Sequence, residues 1–185
     1  KPIVDNGMTC PKQAMPLGSF FMDRGIELTA ANVSDMYWDL PGRRVIWLLP
    51  ASNADTAGKG VRRSWGCVCA GRRSSPCPFC YSIDLKKFHE ERGSHQGTPL
   101  FCTINGERVS KGRAVKTMQA IAEMIGLQVL HDGVYLIGGH TLRVTGAQHM
   151  AAIGVDVYII QLIGRWGGQV VLRYVQEAPL VNITE

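Results

Sequence analysis

The chain has 185 residues, 45% of them apolar, a formal charge of +5 and a pI near 9.0. Those values suit one domain with an ample core, favour an acidic partner such as nucleic acid, and leave no apolar run near the ~20 residues that span a bilayer. No signal peptide is visible, and four of the six cysteines crowd between positions 67 and 80, unlike the spread framework of a small secreted fold. We therefore expect an intracellular protein that does not enter a membrane. The sequence opens at Lys1 without Met and reads as a piece of a longer chain.

Residues 1–19 hold three prolines and two glycines and read as an irregular N-terminal segment. Phe20–Ala31 reads as a short helix. Val33–Trp38 and Arg44–Leu49 are rich in β-branched and aromatic residues, and Asp39-Leu40-Pro41-Gly42 between them is turn chemistry, which predicts a hairpin. Ala51–Gly60 is a polar loop, and Val61–Val68 reads as a third antiparallel strand. Cys67–Cys80 reads as an excursion from that sheet. Ser82–Arg92 is a charged helix with Ser82 as N-cap. Leu100–Ile104 is extended and leads into an Asn105-Gly106 turn. Ser110 caps a further helix with Ala114, Val115, Met118, Ile121, Ala122 and Ile125 on one stripe and Gly126 past its end. Leu127–Leu130 is extended, and Thr141–Ile153, Asp156–Ile163 and Gly168–Gln176 are three closing helices.

The stretch from Gly138 to Tyr174 carries the chemistry. His140 and Arg143 stand at i and i+3, so one helical turn presents both. Arg165-Trp166 and then Arg173-Tyr174 follow two apolar segments. Guanidiniums, a ring N–H donor and a phenol together are suited to gripping a phosphodiester while the hydroxyl attacks it.

This stretch resembles the C-terminal half of a tyrosine recombinase (phage-integrase superfamily) catalytic domain, in which H-x-x-R is followed by a His or Trp and then by a nucleophilic Tyr. The form Gly164-Arg165-Trp166…Leu172-Arg173-Tyr174-Val175 is most similar to recombinases of eukaryotic Crypton- and DIRS-type mobile elements. The resemblance implies an α+β fold, mostly helical with a small three-stranded antiparallel sheet, over residues 20–185. It implies Arg24, in Arg24-Gly25-Ile26-Glu27, as the first catalytic arginine, with Glu27 as its structural partner. His140, Arg143 and Tyr174 match the remaining motif. Arg165 lies nine residues before Tyr174 and Trp166 eight; either can fill the second His position, and Trp166 is preferred as an indole donor. The family's usual hairpin Lys is replaced by Asn53, with Lys59 a substitute in the same loop. The activity implied is DNA cleavage and rejoining through a 3′-phosphotyrosine, needing neither ATP nor a catalytic metal. The partners implied are double-stranded DNA and further copies of the chain, as a tetramer on paired duplexes, nuclear if the source is eukaryotic. Loss of catalysis with retained DNA binding is the alternative that Asn53 raises.

Two features stand beside the resemblance. Lys59, Arg62, Arg63, Arg72 and Arg73 with Trp65 form the densest basic run and, with Arg165 and Arg173, are candidate DNA contacts. Cys67-x-Cys69 and Cys77-Pro78-Phe79-Cys80 supply four thiols that suit a structural zinc, free buried thiols or redox chemistry, or the staple of an interaction domain.

Overall fold

Pro11 fixes φ where the first helical turn needs it and lacks an N–H that would have no intrahelical partner there. A helix therefore runs over Pro11–Phe20 (α1) behind Cys10. The computed structural model describes residues 3–49, 60–69 and 76–176, and it corrects the expectation that residues 1–19 are irregular. Pro16, inside α1, gives up one main-chain bond. Tertiary packing holds the helix: Ala14 and Leu17 are fully buried, and Gly18 lets Leu142 lie on its backbone, where a Cβ would meet Leu142 Cδ1 at 2.6 Å.

The helix expected over Phe20–Ala31 is two pieces. Met22 turns left-handed with φ +51°, Asp23 N–H closes the turn onto the Gly18 carbonyl at 2.8 Å, and a second helix begins at Gly25–Ala30 (α2). The Gly25 N–H donates to the Gly139 carbonyl at 2.7 Å. Gly139 permits that approach, its Cα standing 3.4 Å from where a Gly25 Cβ would sit.

The sheet is as expected: Met36–Asp39 (β1), Arg44–Leu49 (β2) and Val61–Gly66 (β3) pair antiparallel in the order β1-β2-β3. Val33–Asp35 form a 3-10 turn ahead of β1 instead of lengthening it. Val45, Trp47 and Leu49 alternate into the core, as a half-buried strand requires. Trp47 meets Phe21 and Phe101 at centroid distances of 5.1 and 6.1 Å, contacts worth about 0.5–1.5 kcal/mol each beyond their area.

The helix at Pro78–Glu91 (α3) starts a turn before Ser82. Ser82 is inside it, its hydroxyl donating to the Phe79 carbonyl at 2.8 Å. Ser110 does cap Lys111–Met124 (α4), accepting from the Arg113 N–H at 3.3 Å. Next comes a short hairpin, Leu130–His131 (β4) and Val134–Tyr135 (β5). Its Asp132-Gly133 turn has positive φ at both residues, a type I′ signal that differs from the single extended segment expected over Leu127–Leu130.

Thr141–Ala152 (α5), Val157–Gly164 (α6) and Val170–Val175 (α7) close the fold. A central core around Leu17, Phe21, Leu28, Trp47, Leu85 and Met118 adjoins a smaller one of Met22, Ala147, Met150, Ile160, Val171 and Val175, and Trp65 packs against both. Between Met22 of the smaller core and Leu28 of the central one, the chain buries two acids, Asp23 and Glu27.

Candidate active site

Glu27 is the centre of a charged cluster. Its Oε1 accepts from Arg24 Nη2 at 2.8 Å, and its Oε2 from the Arg24 N–H at 2.7 Å, Arg143 Nη2 at 3.0 Å and Arg165 Nη2 at 3.1 Å. The three guanidiniums come from α2's N-cap, from α5 and from the residue after α6. Arg143 also donates through Nε to the Met22 carbonyl at 2.8 Å, which the left-handed turn at Met22 presents. Gly146, one helical turn on, lies against the Ser19 carbonyl with no room for a Cβ, so α5 sits close enough to α1 for that bond.

Arg165 is itself left-handed, φ +57° and ψ +40°, at a conformational cost of about 1 kcal/mol for a non-glycine residue. The turn aims its guanidinium inward, where Nη2 reaches Asp23 Oδ1 at 3.4 Å and the side chain is only 5% exposed. The sequence offered Arg165 as a DNA contact and as one of two residues for the second His position; the structure sets it in the central cluster, beside Glu27 and Asp23. Trp166 has a different place. Its ring covers Gly164, faces the Arg143 guanidinium at 5.6 Å and meets the Tyr174 ring at 6.0 Å. Tyr174, half-buried on α7, is thus two ring contacts from Arg143.

His140 is exposed at the start of α5. Partial burial, then the charges of Arg143, Arg24 and Lys111, push its imidazole below its ordinary value, so it is neutral at pH 7. Lys111, which opens α4 and packs on Gly139, is a cation that sequence reading missed: it belongs to no motif and reaches the site from another element. Arg63, half-buried on β3, donates to the Leu162 carbonyl at 3.1 Å near the end of α6. Arg62 is exposed beside the Tyr37 ring at 6.0 Å, and Arg173 is exposed on α7. Asn53, Lys59, Arg72 and Arg73 lie outside the described residues.

The two acids differ. Burial raises the Glu27 carboxyl, but the hydrogen bonds from Arg24 and the charges of Arg165 and Arg143 outweigh it and hold Glu27 below its usual value. Asp23 is fully buried, and burial pushes it well above the usual range against the pull of Arg165. Glu27 is therefore the firm anion, and three arginines against two acids leave the site positive whichever state Asp23 takes. Arg24 Nε is buried with no partner among the described residues, a donor left for something else to satisfy.

Away from this site, Cys67, Cys69, Cys77 and Cys80 bring their sulfurs within 4.8 Å of one another.

No family model matches the sequence, and neither does any curated protein; the likeness is carried by three-dimensional arrangement. The chain is similar to the XerH site-specific recombinase bound to palindromic difH substrate in a post-cleavage complex: TM-score 0.69, 15% identity, 94% of this chain and 44% of that one. It is similar to the same recombinase bound to difH in a pre-cleavage complex, with TM-score 0.66, 16% identity and 95% and 47% covered. It is similar also to the XerA recombinase, with TM-score 0.61, 17% identity and 94% and 61% covered. The chain spans about half the length of the structures it matches. The fold is the α+β fold of a tyrosine-recombinase catalytic domain, mostly helical with one small three-stranded sheet.

Proposed function

We propose that this chain breaks and rejoins DNA strands, with Tyr174 as nucleophile. The observation that carries the reading is the convergence of Arg24, Arg143 and Arg165 on Glu27, with Arg143 linked through the Trp166 ring to Tyr174. A phosphodiester entering from the His140 side meets guanidinium forks and the Arg24 Nε, which has no partner among the described residues. Such forks hold two non-bridging oxygens at once, which an ammonium cannot copy. Glu27 sets their orientation before substrate arrives, so little reorganisation is needed as charge builds on those oxygens.

In the reaction the Tyr174 oxygen bonds to phosphorus and the 5′-oxygen leaves, taking a proton. This gives a 3′-phosphotyrosine and a free 5′-hydroxyl. The reverse attack by a strand's 5′-hydroxyl reseals the backbone, so the phosphodiester energy is kept. His140, neutral and exposed, is the proton-handling group nearest the cations, and Trp166 is the candidate indole donor. Lys59 stays the candidate for the family's missing hairpin lysine. Arg62, Arg63 and Arg173 extend the positive surface for duplex DNA, and assembly as a tetramer on paired duplexes goes with this reading. So does kinship to Crypton- and DIRS-type elements, which rests on the Gly164-Arg165-Trp166 and Leu172-Arg173-Tyr174 forms.

The test uses nicked duplexes of randomised sequence, whose cleaved ends diffuse away and trap the intermediate. A denaturant-stable protein–DNA adduct is expected, and Tyr174→Phe abolishes it. DNA binding that weakens with salt, without an adduct, would favour a binding module that has lost its chemistry. The absence of both adduct and binding would overturn the reading.

A further inference from the structure

We propose that Cys67, Cys69, Cys77 and Cys80 hold one zinc ion as a closed tetrathiolate that staples the end of β3 to the start of α3. A zinc ion ~2.3 Å from each of four sulfurs spans a tetrahedron with edges of about 3.8 Å. Cys67 and Cys77 place their sulfurs 3.8 Å apart, Cys69 and Cys80 3.4 Å, and no pair of the four exceeds 4.8 Å. The first two ligands leave the sheet edge and the second two open the helix, the two-plus-two supply usual for structural zinc.

The surroundings fit a dianionic centre. The Arg43 Nη2 donates to Cys67 Sγ at 3.1 Å and the Val68 N–H to Cys77 Sγ at 3.4 Å. The Cys67 N–H is held by the Arg43 carbonyl at 2.9 Å. Outer-shell donors of this kind fix ligand orientation and stabilise thiolates. Lys12, Lys87 and Arg43 line the adjoining cleft. Phe79, buried, and Ile83 pack against the thiols on the apolar side. Soft sulfur ligands in tetrahedral array select zinc or iron. Cys10 and Cys102, also buried, lie outside the cluster and serve as controls.

The experiment is metal analysis of the whole chain, expressed reduced and purified without chelator. One zinc per chain is expected. Cys69→Ser and Cys80→Ser should lose it, and Cys10→Ser should keep it. Since a cluster variant can fail to fold, the unmodified protein supplies a second reading. Cobalt exchanged into the site should give intense thiolate-to-cobalt and tetrahedral d–d absorption, which zinc reverses. Bound iron, no metal, or an intact mass lower by the hydrogens of two disulfides would each overturn the proposal. None of these outcomes bears on DNA cleavage, so the two readings fail separately.

Discussion

The arginine site and the cysteine cluster solve the same problem in opposite ways. Each gathers groups that repel one another once charged. The arginines arrive from positions up to 138 residues away from Glu27, and the chain supplies their counter-charge in Glu27. The cysteines come from fourteen consecutive positions, with Arg43 as the one side-chain cation bonded to a sulfur among the described residues. The first cluster carries its counter-ion in the sequence, and the second, on our proposal, takes one from solution. Long-range clusters of charge depend on the whole fold for their balance, whereas a local one depends on a ligand.

The largest test of that contrast is Glu27→Ala. It strands buried guanidiniums, and breaking a buried pair costs about 3–5 kcal/mol, readable as a lower denaturant midpoint. Glu27→Gln keeps the shape but not the charge and should fall between. Next is metal removal. The loop from Cys67 to Cys80 is about the length whose closure is worth ~3 kcal/mol, so chelation should lower Tm by about 6–12 °C for a domain of this size. It should leave the Glu27 network intact, and re-added zinc should restore Tm.

Smaller again is Gly164→Ala. Its Cβ collides with the Trp166 ring, and overpacking costs about 1–3 kcal/mol. The displaced ring unstacks from Arg143 and Tyr174, so adduct formation should fall more than DNA binding does.

The pH profile separates the acids. Glu27 is held low when folded, so its stabilisation is present above its unfolded pKa of about 4.3 and is lost as pH falls through the folded value. Asp23 is raised when folded, so its contribution is present below its unfolded value of about 3.9 and is lost as pH rises through the folded one. Equilibrium unfolding across pH should show Glu27→Gln flattening the acid limb and Asp23→Asn the opposite one. The smallest effect belongs to Arg62→Ala on the exposed sheet face. Stability should move by no more than about 0.5 kcal/mol, while the salt dependence of DNA binding loses about one unit of slope.

Much of the fold was legible. The β-branched and aromatic content of Arg44–Leu49 and the Asp39–Gly42 turn marked the sheet, and Ser110 and Asp156 marked two helix starts that the structure keeps. Helix α1 was hidden because its prolines read as breakers, though Pro11 sits where a helix accepts one. Arg143 stood out through its i, i+3 spacing from His140, whereas Arg24 was singled out only through the resemblance, since nothing in the sequence marks their meeting at Glu27. The burial of Arg165 was not legible, because a backbone sign at one residue, φ +57°, decides whether its side chain faces solvent or Asp23.

By itself the sequence determined the local order: strands, caps, the cysteine spacing and the succession of cations and rings toward Tyr174. These follow from neighbours within about a helical turn, where sterics and main-chain hydrogen bonding dominate. Only the tertiary structure decided which cations share an anion, that Lys111 stands beside His140, and that Trp166 bridges Arg143 and Tyr174. Those outcomes depend on charges brought together out of water, where their interactions grow strong and an unpaired group becomes costly.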